Sequence, residues 1–273
     1  MWFRDTPTFQ VGLAQHSVCI ARPTRWGLGP ATLLAQLPCA PERGAAGAAE
    51  PWRAAVDTLR AWLNQQSNKR VQLRVVLSGR FVRWQLLPWR SELSGRSETQ
   101  AYAGVRFRET FGKLADAWNI LPVALPPGKT APACAVDQAL ITALYSVCEE
   151  HGARLQLLTP YFSSAFDTWR GQLPGNAAWF GTVEADTCTL GLLQAGNWTA
   201  LQTQRVFGDW REVLPAMMAQ IGLASGLDAG NAPLFLAGTL EPPVAKPDFA
   251  FSWLRPKHTA QAGLPDLRLA QGV

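Results

Sequence analysis

His16 beside Ser17 sets a base next to a hydroxyl, the two members of a nucleophilic pair. Neighbours on a strand face opposite ways, however, and no third group is in view to orient the imidazole. Gly128-Lys129-Thr130 carries the ending of a phosphate-binding P-loop. Upstream, Leu125-Pro126-Pro127 replaces the opening glycine and no strand–loop–helix frame surrounds it, so the segment reads as a turn. His151, followed by Gly152, is a cation at a helix end, where the macrodipole favours it, and His258 lies in the tail. Cys19, Cys39, Cys134, Cys148 and Cys188 are odd in number and without CxxC spacing, which argues against a disulfide frame or a zinc site. They read as small buried hydrophobes of a reducing cytoplasm. No catalytic residue and no metal site is expected from these side chains.

The charge is distributed unevenly. Arg70, Arg74, Arg80, Arg83, Arg90, Arg96, Arg106 and Arg108 alternate with Phe81, Trp84, Trp89, Tyr102 and Phe107. Guanidinium groups and rings in alternation can line a nucleic-acid groove, but no nucleic-acid-binding motif accompanies them. A protein interface fits them better, since Trp and Arg are its favoured anchors. On a strand, Phe81, Arg83 and Gln85 share one face and Val82, Trp84 and Leu86 the other, with the second set toward the core. Arg80, Arg83, Trp84 and Trp89 are the expected partner-binding anchors, and no nucleic acid is expected.

At 273 residues, 48% hydrophobic and 16% charged, the chain can bury a substantial core. Its longest apolar runs, Val71–Leu77 and Pro233–Leu240, are of strand length, well short of the roughly 20 residues of a membrane span, and MWFRDTPTFQ does not resemble a signal peptide. Phe9–Arg22 alternates as a hairpin turning at Ala14–Ser17. Leu37–Pro51 is a Pro/Gly/Ala-rich loop, and Trp52–Gln65 an amphipathic helix with Val56, Leu59, Trp62 and Leu63 in its stripe. Val71–Leu77 and Phe81–Leu87 are expected to form a hairpin across Ser78-Gly79, ended by Pro88. A helix over Ser97–Phe111 stops at Gly112, a strand covers Asp116–Pro122, and Leu125–Pro132 is a connector. The helix Val136–Glu150 carries Leu140, Leu144 and Val147 inward; a strand at Arg154–Thr159 and a helix near Ser163–Arg170 follow. After Leu173–Asn176 come strands at Trp179–Glu184, Thr187–Leu193 and Trp198–Val206, a helix near Trp210–Gly222, and strands at Pro233–Ala237 and Phe249–Leu254.

Two strand–turn–strand segments, Phe9–Arg22 and Trp179–Val206, thus open the two halves of the chain. With the meander–helix–strand–Gly order of the second half, VVLSGRFVRWQLLPW at Val75–Trp89 and YAGVRFRETFG at Tyr102–Gly112, the sequence resembles the actin-like proteins of type IV pilus and type II secretion assembly: the PilM-like and MshI-like proteins and the cytoplasmic domain of GspL. The resemblance spans residues 9–254. It implies an α/β fold of duplicated actin-like, ribonuclease H-like domains. Residues 1–174 would form the first half, with a subdomain inserted at about 70–130, and 175–254 the second. Residues 255–273 are expected to be a poorly ordered tail.

Nucleotide hydrolysis in this fold needs two glycine-containing hairpins that cradle phosphates through backbone N–H groups, with carboxylates to hold Mg²⁺ and position water. The first hairpin of the family carries an acid followed by Gly. Here Val11–Ser17, with Gly12, Gln15 and Ser17 as its remnant, has no acid. The second keeps Glu184 and Asp186 but has Ala185 and Thr187 where glycine would let backbone approach a phosphate. The adenosine-side turn, Ala237-Gly238-Thr239, keeps one glycine, Gly238, of two. These turns imply a degenerate nucleotide site with no cofactor, ATP and Mg²⁺ being the alternative. The family implies a cytoplasmic scaffold that binds a peptide of an inner-membrane partner and reaches the membrane through it. The rival readings are a working ATPase or kinase using Glu184 or Asp186, and a nucleic-acid binder using the arginine segment.

Overall fold

Period-2 and period-3.6 patterns set most of the elements of the structure, a computed structural model that describes residues 6–24, 31–40, 50–66, 70–93, 95–123, 126–225, 232–240, 249–256 and 265–273. Thr8–Leu13 (β1) and Ser17–Arg22 (β2) pair antiparallel, Leu13 against Val18. Thr32–Pro38 (β3), a strand the sequence reading did not include, extends the meander on the far side of β2. Arg53–Asn64 (α1) buries Val56, Leu59, Trp62 and Leu63 as its stripe requires. Gln72–Leu77 (β4) then lies parallel to β1.

The expected hairpin of Val71–Leu77 with Phe81–Leu87 does not form. Ser78 caps a 3-10 turn over Gly79–Phe81, its hydroxyl oxygen accepting from the Arg80 N–H, and Val82–Pro88 (β5) leaves for another sheet. Both edges of β4 are taken by parallel neighbours, which leaves no edge for β5 to join. Arg96–Phe111 (α2) ends at Gly112, whose φ of 64° is open to glycine. Trp118–Pro122 (β6) and Thr130–Asp137 (β7) follow, with β7 central in a three-stranded sheet of order β5-β7-β6. The separate sheet thus begins at Val82 and ends at Asp137, a shift from the expected 70–130. Asp137 accepts from the Ala139 N–H and so starts Gln138–Glu150 (α3), two residues later than the periodicity suggested. Arg154–Pro160 (β8) completes the first five-stranded sheet, β3-β2-β1-β4-β8, and Tyr161–Trp169 (α4) leads out of it.

Ala177–Val183 (β9), Thr187–Gln194 (β10) and Asn197–Arg205 (β11) form the second meander, followed by Trp210–Ser225 (α5), Leu234–Gly238 (β12) and Ser252–Trp253 (β13). The sheet order β11-β10-β9-β12-β13 repeats β3-β2-β1-β4-β8 strand for strand, including parallel pairing of the first and fourth strands. The duplication inferred from two hairpins therefore extends through both sheets.

Pro265–Gln271 (α6) overturns the expectation of a tail without order, for residues 265–273. Leu267, Leu269 and Ala270 are buried, and Leu267 and Ala270 pack on Cys19, Ala21 and Ala31 of the first half. Apolar burial on this scale holds a short helix that its own propensity would not. Gly12 makes the approach possible: a Cβ there would stand 2.7 Å from Ala270 N. The chain thus leaves the first half through α4 and returns to it through α6. Tyr161 at the start of α4 donates its hydroxyl to Val273 O, 2.7 Å away.

Candidate functional site

The two hairpin turns face each other across the seam between the halves. In the first, Ala14 N donates to Ser17 O (3.0 Å), and in the second Glu184 N donates to Thr187 O (2.9 Å). The segment between them comes from the end of β4. Ser78 N donates to Leu13 O (2.8 Å), which fastens it to the first hairpin. Gly79 N donates to Glu184 Oε1 (2.8 Å), which fastens it to the second. A Cβ on residue 79 would lie 2.9 Å from that oxygen and 3.2 Å from Thr187 and Thr189, so the contact depends on glycine for space rather than for φ.

Arg80 completes the bridge. Its side chain is 9% exposed; Nε donates to Gln15 Oε1 at 3.0 Å and stands 3.9 Å from Asp186 Oδ2. One guanidinium therefore touches both turns, in the space that phosphate would need if these turns cradled it. Thr187 donates its hydroxyl to Asp186 Oδ1 (3.1 Å), which holds the carboxylate in place.

Glu184 is 3% exposed. Burial pushes its pKa up to about 7, hydrogen bonds from Ser78 and the Gly79 N–H pull it down, and the Asp186 charge adds to the rise. The nearby Cys188 thiol is pushed up to about 12, by burial and then by Glu184. Burial likewise raises Cys134 and Cys148 to about 11, so these sulfurs stay protonated and unreactive at neutral pH.

A nucleotide phosphate does not fit the residues present. The Gly79 N–H already binds a carboxylate, and Asp186 faces Arg80. The glycines of the other two turns serve packing: Gly12 admits Ala270, and at Gly238 a Cβ would stand 2.7 Å from Val183 O and 2.8 Å from Trp253. Arg268 of α6 donates to Gly238 O (3.2 Å) and Leu240 O (2.7 Å) at the adenosine-side turn. Ser17 lies in β2 opposite Pro38 of β3. Of the six residues expected as a nucleotide-site remnant, Gln15, Glu184 and Asp186 thus meet at the seam through Gly79 and Arg80. Gly12 and Gly238 pack the fold, and Ser17 belongs to the sheet. Among the described residues no group of three His, Cys, Asp or Glu side chains could hold a metal ion.

The expected partner anchors do not form one face. Arg80 is inside the seam. Trp84, 9% exposed, packs edge-on to Phe162 at 5.5 Å. Arg83 is half-buried and donates Nη1 to Arg80 O (3.3 Å) and Val82 O (3.1 Å), with burial lowering its pKa. Trp89 is the exposed member at 39%. Val82 and Trp84 turn inward as the alternation predicted, but Phe81 is buried too, because it ends the 3-10 turn rather than a strand. Further along the segment, Arg106 pairs with Glu109 and Arg108 with Asp116, which leaves no continuous basic groove through them.

Of the remaining candidates, His151 and the Gly128–Thr130 turn have structural roles. His16 is exposed, and His151 caps α3 beside Val147 O (2.7 Å) while its other ring nitrogen meets Asn64 Oδ1 (2.8 Å) at the end of α1. His258 lies outside the described residues. Gly128, with φ of 70°, and Lys129, whose N–H donates to Pro126 O, make the turn expected of Gly128–Thr130. Sequence reasoning missed Gly79 as a contact and Arg268 altogether; a Ser-Gly-Arg run at the end of a buried strand is the one local signal that points to the seam.

No protein-family model matches this chain, and no curated protein matches it. Solved structures do. The cytoplasmic domain of EpsL, an inner-membrane component of the type II secretion system of Vibrio cholerae, superposes with a TM-score of 0.58 at 12% identity, over 98% of this chain and 94% of that one. A Bacteroides thetaiotaomicron protein with an actin-like ATPase fold and unknown function gives 0.57 at 13% identity over 86% and 83%. The PilM-PilN type IV pilus biogenesis complex gives 0.55 at 14% identity over 85% and 81%. The chain has the actin-like fold, with the doubled sheet order described above as its internal evidence.

Proposed function

We propose that this chain is a non-catalytic actin-like scaffold of an inner-membrane platform of the type that assembles type IV pili or type II secretion machines. It binds partner proteins on the cytoplasmic side. The observation that carries the non-catalytic part is the self-filled seam: Arg80 spans Gln15 and Asp186, and Glu184 is taken up by Gly79. The assembly role draws on likeness to the EpsL domain and to the PilM-PilN complex. Among the described residues no helix is long and apolar enough to cross a membrane, and on this reading attachment comes through a partner's cytoplasmic peptide.

Thermal melting with Mg-ATP, Mg-ADP and no nucleotide tests the first part. A ligand present at 100 times its Kd stabilises the folded state by about 2.7 kcal/mol, a rise of roughly 5–10 °C for a chain of this size. The expected result is no shift at millimolar nucleotide; a saturable rise returns Glu184 and Asp186 to an ATPase reading. Calorimetric titration with the cytoplasmic segments of inner-membrane pilus and secretion proteins from the same genome tests the second. Saturable binding of one such segment is expected, and binding of none overturns the scaffold assignment.

A further inference from the structure

Ten large apolar side chains are exposed among the described residues, and three of them, Trp89, Leu121 and Val123, lie together. They line a groove of about 520 Å³ between the first turn of α2 and the ends of β5 and β6, formed by residues that take no part in the seam. The backbone N–H of Trp89 donates to Lys129 O (3.0 Å) and that of Val123 to Pro132 O (3.2 Å), so the inserted sheet holds both in place. Leu93, half-buried, continues the apolar wall. Exposed apolar side chains gathered in a concavity mark an interaction site, where the same residues scattered singly would not. The groove's charge is one-sided as well, for Arg90 and Arg96 line it and no acid does. Arg90 stands over the Tyr102 ring, 5.8 Å from its centroid, and the acids that act on it, Glu92 and Glu109, lie outside the lining. Arg96 makes no ion pair among the described residues.

We propose that this groove binds a short acidic segment of a partner protein, with its carboxylates on Arg90 and Arg96 and a large apolar side chain against Trp89, Leu121 and Val123. Trp and Arg are the residue types that anchor protein interfaces, and two cations without a lining acid select a partner of opposite charge. The lining decides against two other occupants. A nucleic-acid strand needs stacking rings along a basic track; here one ring stands among aliphatic side chains, and the next arginines, Arg106 and Arg108, are paired with Glu109 and Asp116. A membrane surface is met by an apolar face that enters it, which a concavity does not do. The inference rests on the reading of this chain as a binder of partner proteins and gives that binding a place.

Selection of short random peptides displayed on phage against the whole chain, followed by titration of the enriched sequences as free peptides, tests it. Enriched peptides should combine Asp or Glu with a large apolar residue and bind one site per chain. The double variant Arg90→Glu, Arg96→Glu turns two exposed ion pairs into repulsions and should weaken their binding roughly tenfold. Trp89→Ala should weaken it to a similar degree, with melting curves showing both variants folded. The proposal is overturned if no acidic peptide is enriched, if the enriched peptides bind both variants unchanged, or if single-stranded DNA or phosphatidylglycerol vesicles bind in their place and lose that binding in the variants. If the groove fails while a cytoplasmic segment of an inner-membrane protein still binds the chain, this inference falls and the scaffold reading stands. If acidic peptides hold to the groove while every such segment fails, the inference stands and the choice of assembly falls.

Discussion

Replacing Glu184 by glutamine should make this protein more stable at alkaline pH, although it removes a charged, hydrogen-bonded side chain. Glu184 is 3% exposed, and its pKa rises from the ordinary 4.5 to about 7, chiefly through burial. The folded pKa lies above the unfolded one, so between about pH 4.5 and 7 the native state holds more protons than the unfolded chain. Stability is then fully present below that window and falls as pH rises through it. At about 1.4 kcal/mol per pH unit, the loss over the window from 4.5 to about 7 amounts to about 3 kcal/mol. The substituted amide would keep an oxygen to accept the Gly79 N–H and carry no charge for the buried site or for Asp186 to oppose. The variant should therefore match the native protein near pH 5 and exceed it by up to about 3 kcal/mol at pH 8, roughly 6–12 °C in Tm. Thermal melts of both proteins from pH 5 to 8.5 read the difference directly. A variant less stable than the native protein at pH 8, or a gap that does not shrink toward pH 5, refutes the reasoning. Glu184 would then be an ionised group held by a compensating cation.

Three further substitutions probe the seam and the helix that closes the first half. Gly79→Ala places a methyl 2.9 Å from Glu184 Oε1 and should cost roughly 1–3 kcal/mol by overpacking, seen as a lower urea midpoint at unchanged m. Gly12→Ala drives a Cβ to 2.7 Å from Ala270 N; amide hydrogen exchange in α6 should quicken while that in β9–β11 stays as it was. Arg80→Met removes the link between Gln15 and Asp186 and should lower stability by roughly 1–3 kcal/mol. Mg-ATP should still give no thermal shift to that variant, because Gly12 and Gly238 remain committed to packing; a shift would mean that Arg80 alone blocks the site.

Local pattern was enough for β1–β2, α1, α3 and the β9–β11 meander, where apolar spacing and turn residues agree. β7 was hidden by Pro132, which argues against a central strand. The structure accommodates it because Pro132 O still accepts from Val123 N at 3.2 Å while its missing N–H removes one ladder bond. The β4–β5 link was misread because a hairpin is the nearest pairing in sequence, whereas β4 pairs with β1 and β8, both distant along the chain. For the site, Glu184, Asp186 and Gln15 were visible as turn residues. Arg80 stood out only as a partner-binding anchor within a run of eight arginines, not as a residue of the seam: its partners lie 65 and 106 residues away, and no short window along the sequence contains all three.

In a two-lobed fold with facing phosphate turns, a bound nucleotide is itself a strut, since its phosphates contact both lobes and its binding energy favours the closed arrangement. This chain provides struts of its own at the same place. Gly79 reaches the second hairpin from the first half, and Arg80 links both turns. At the adenosine-side turn Arg268 donates to two backbone carbonyls. The Gly79 and Arg80 contacts take up a backbone donor and two carboxylates that a phosphate or its metal would otherwise use, and a phosphate seated on these turns would have to break them. The cost of breaking several buried polar contacts, each worth roughly 1–3 kcal/mol if left unsatisfied, is comparable to the whole binding energy of a millimolar ligand, about 4 kcal/mol. On the proposed scaffold reading, contacts of this kind would hold the halves together without nucleotide, as a fixed platform requires and a motor does not.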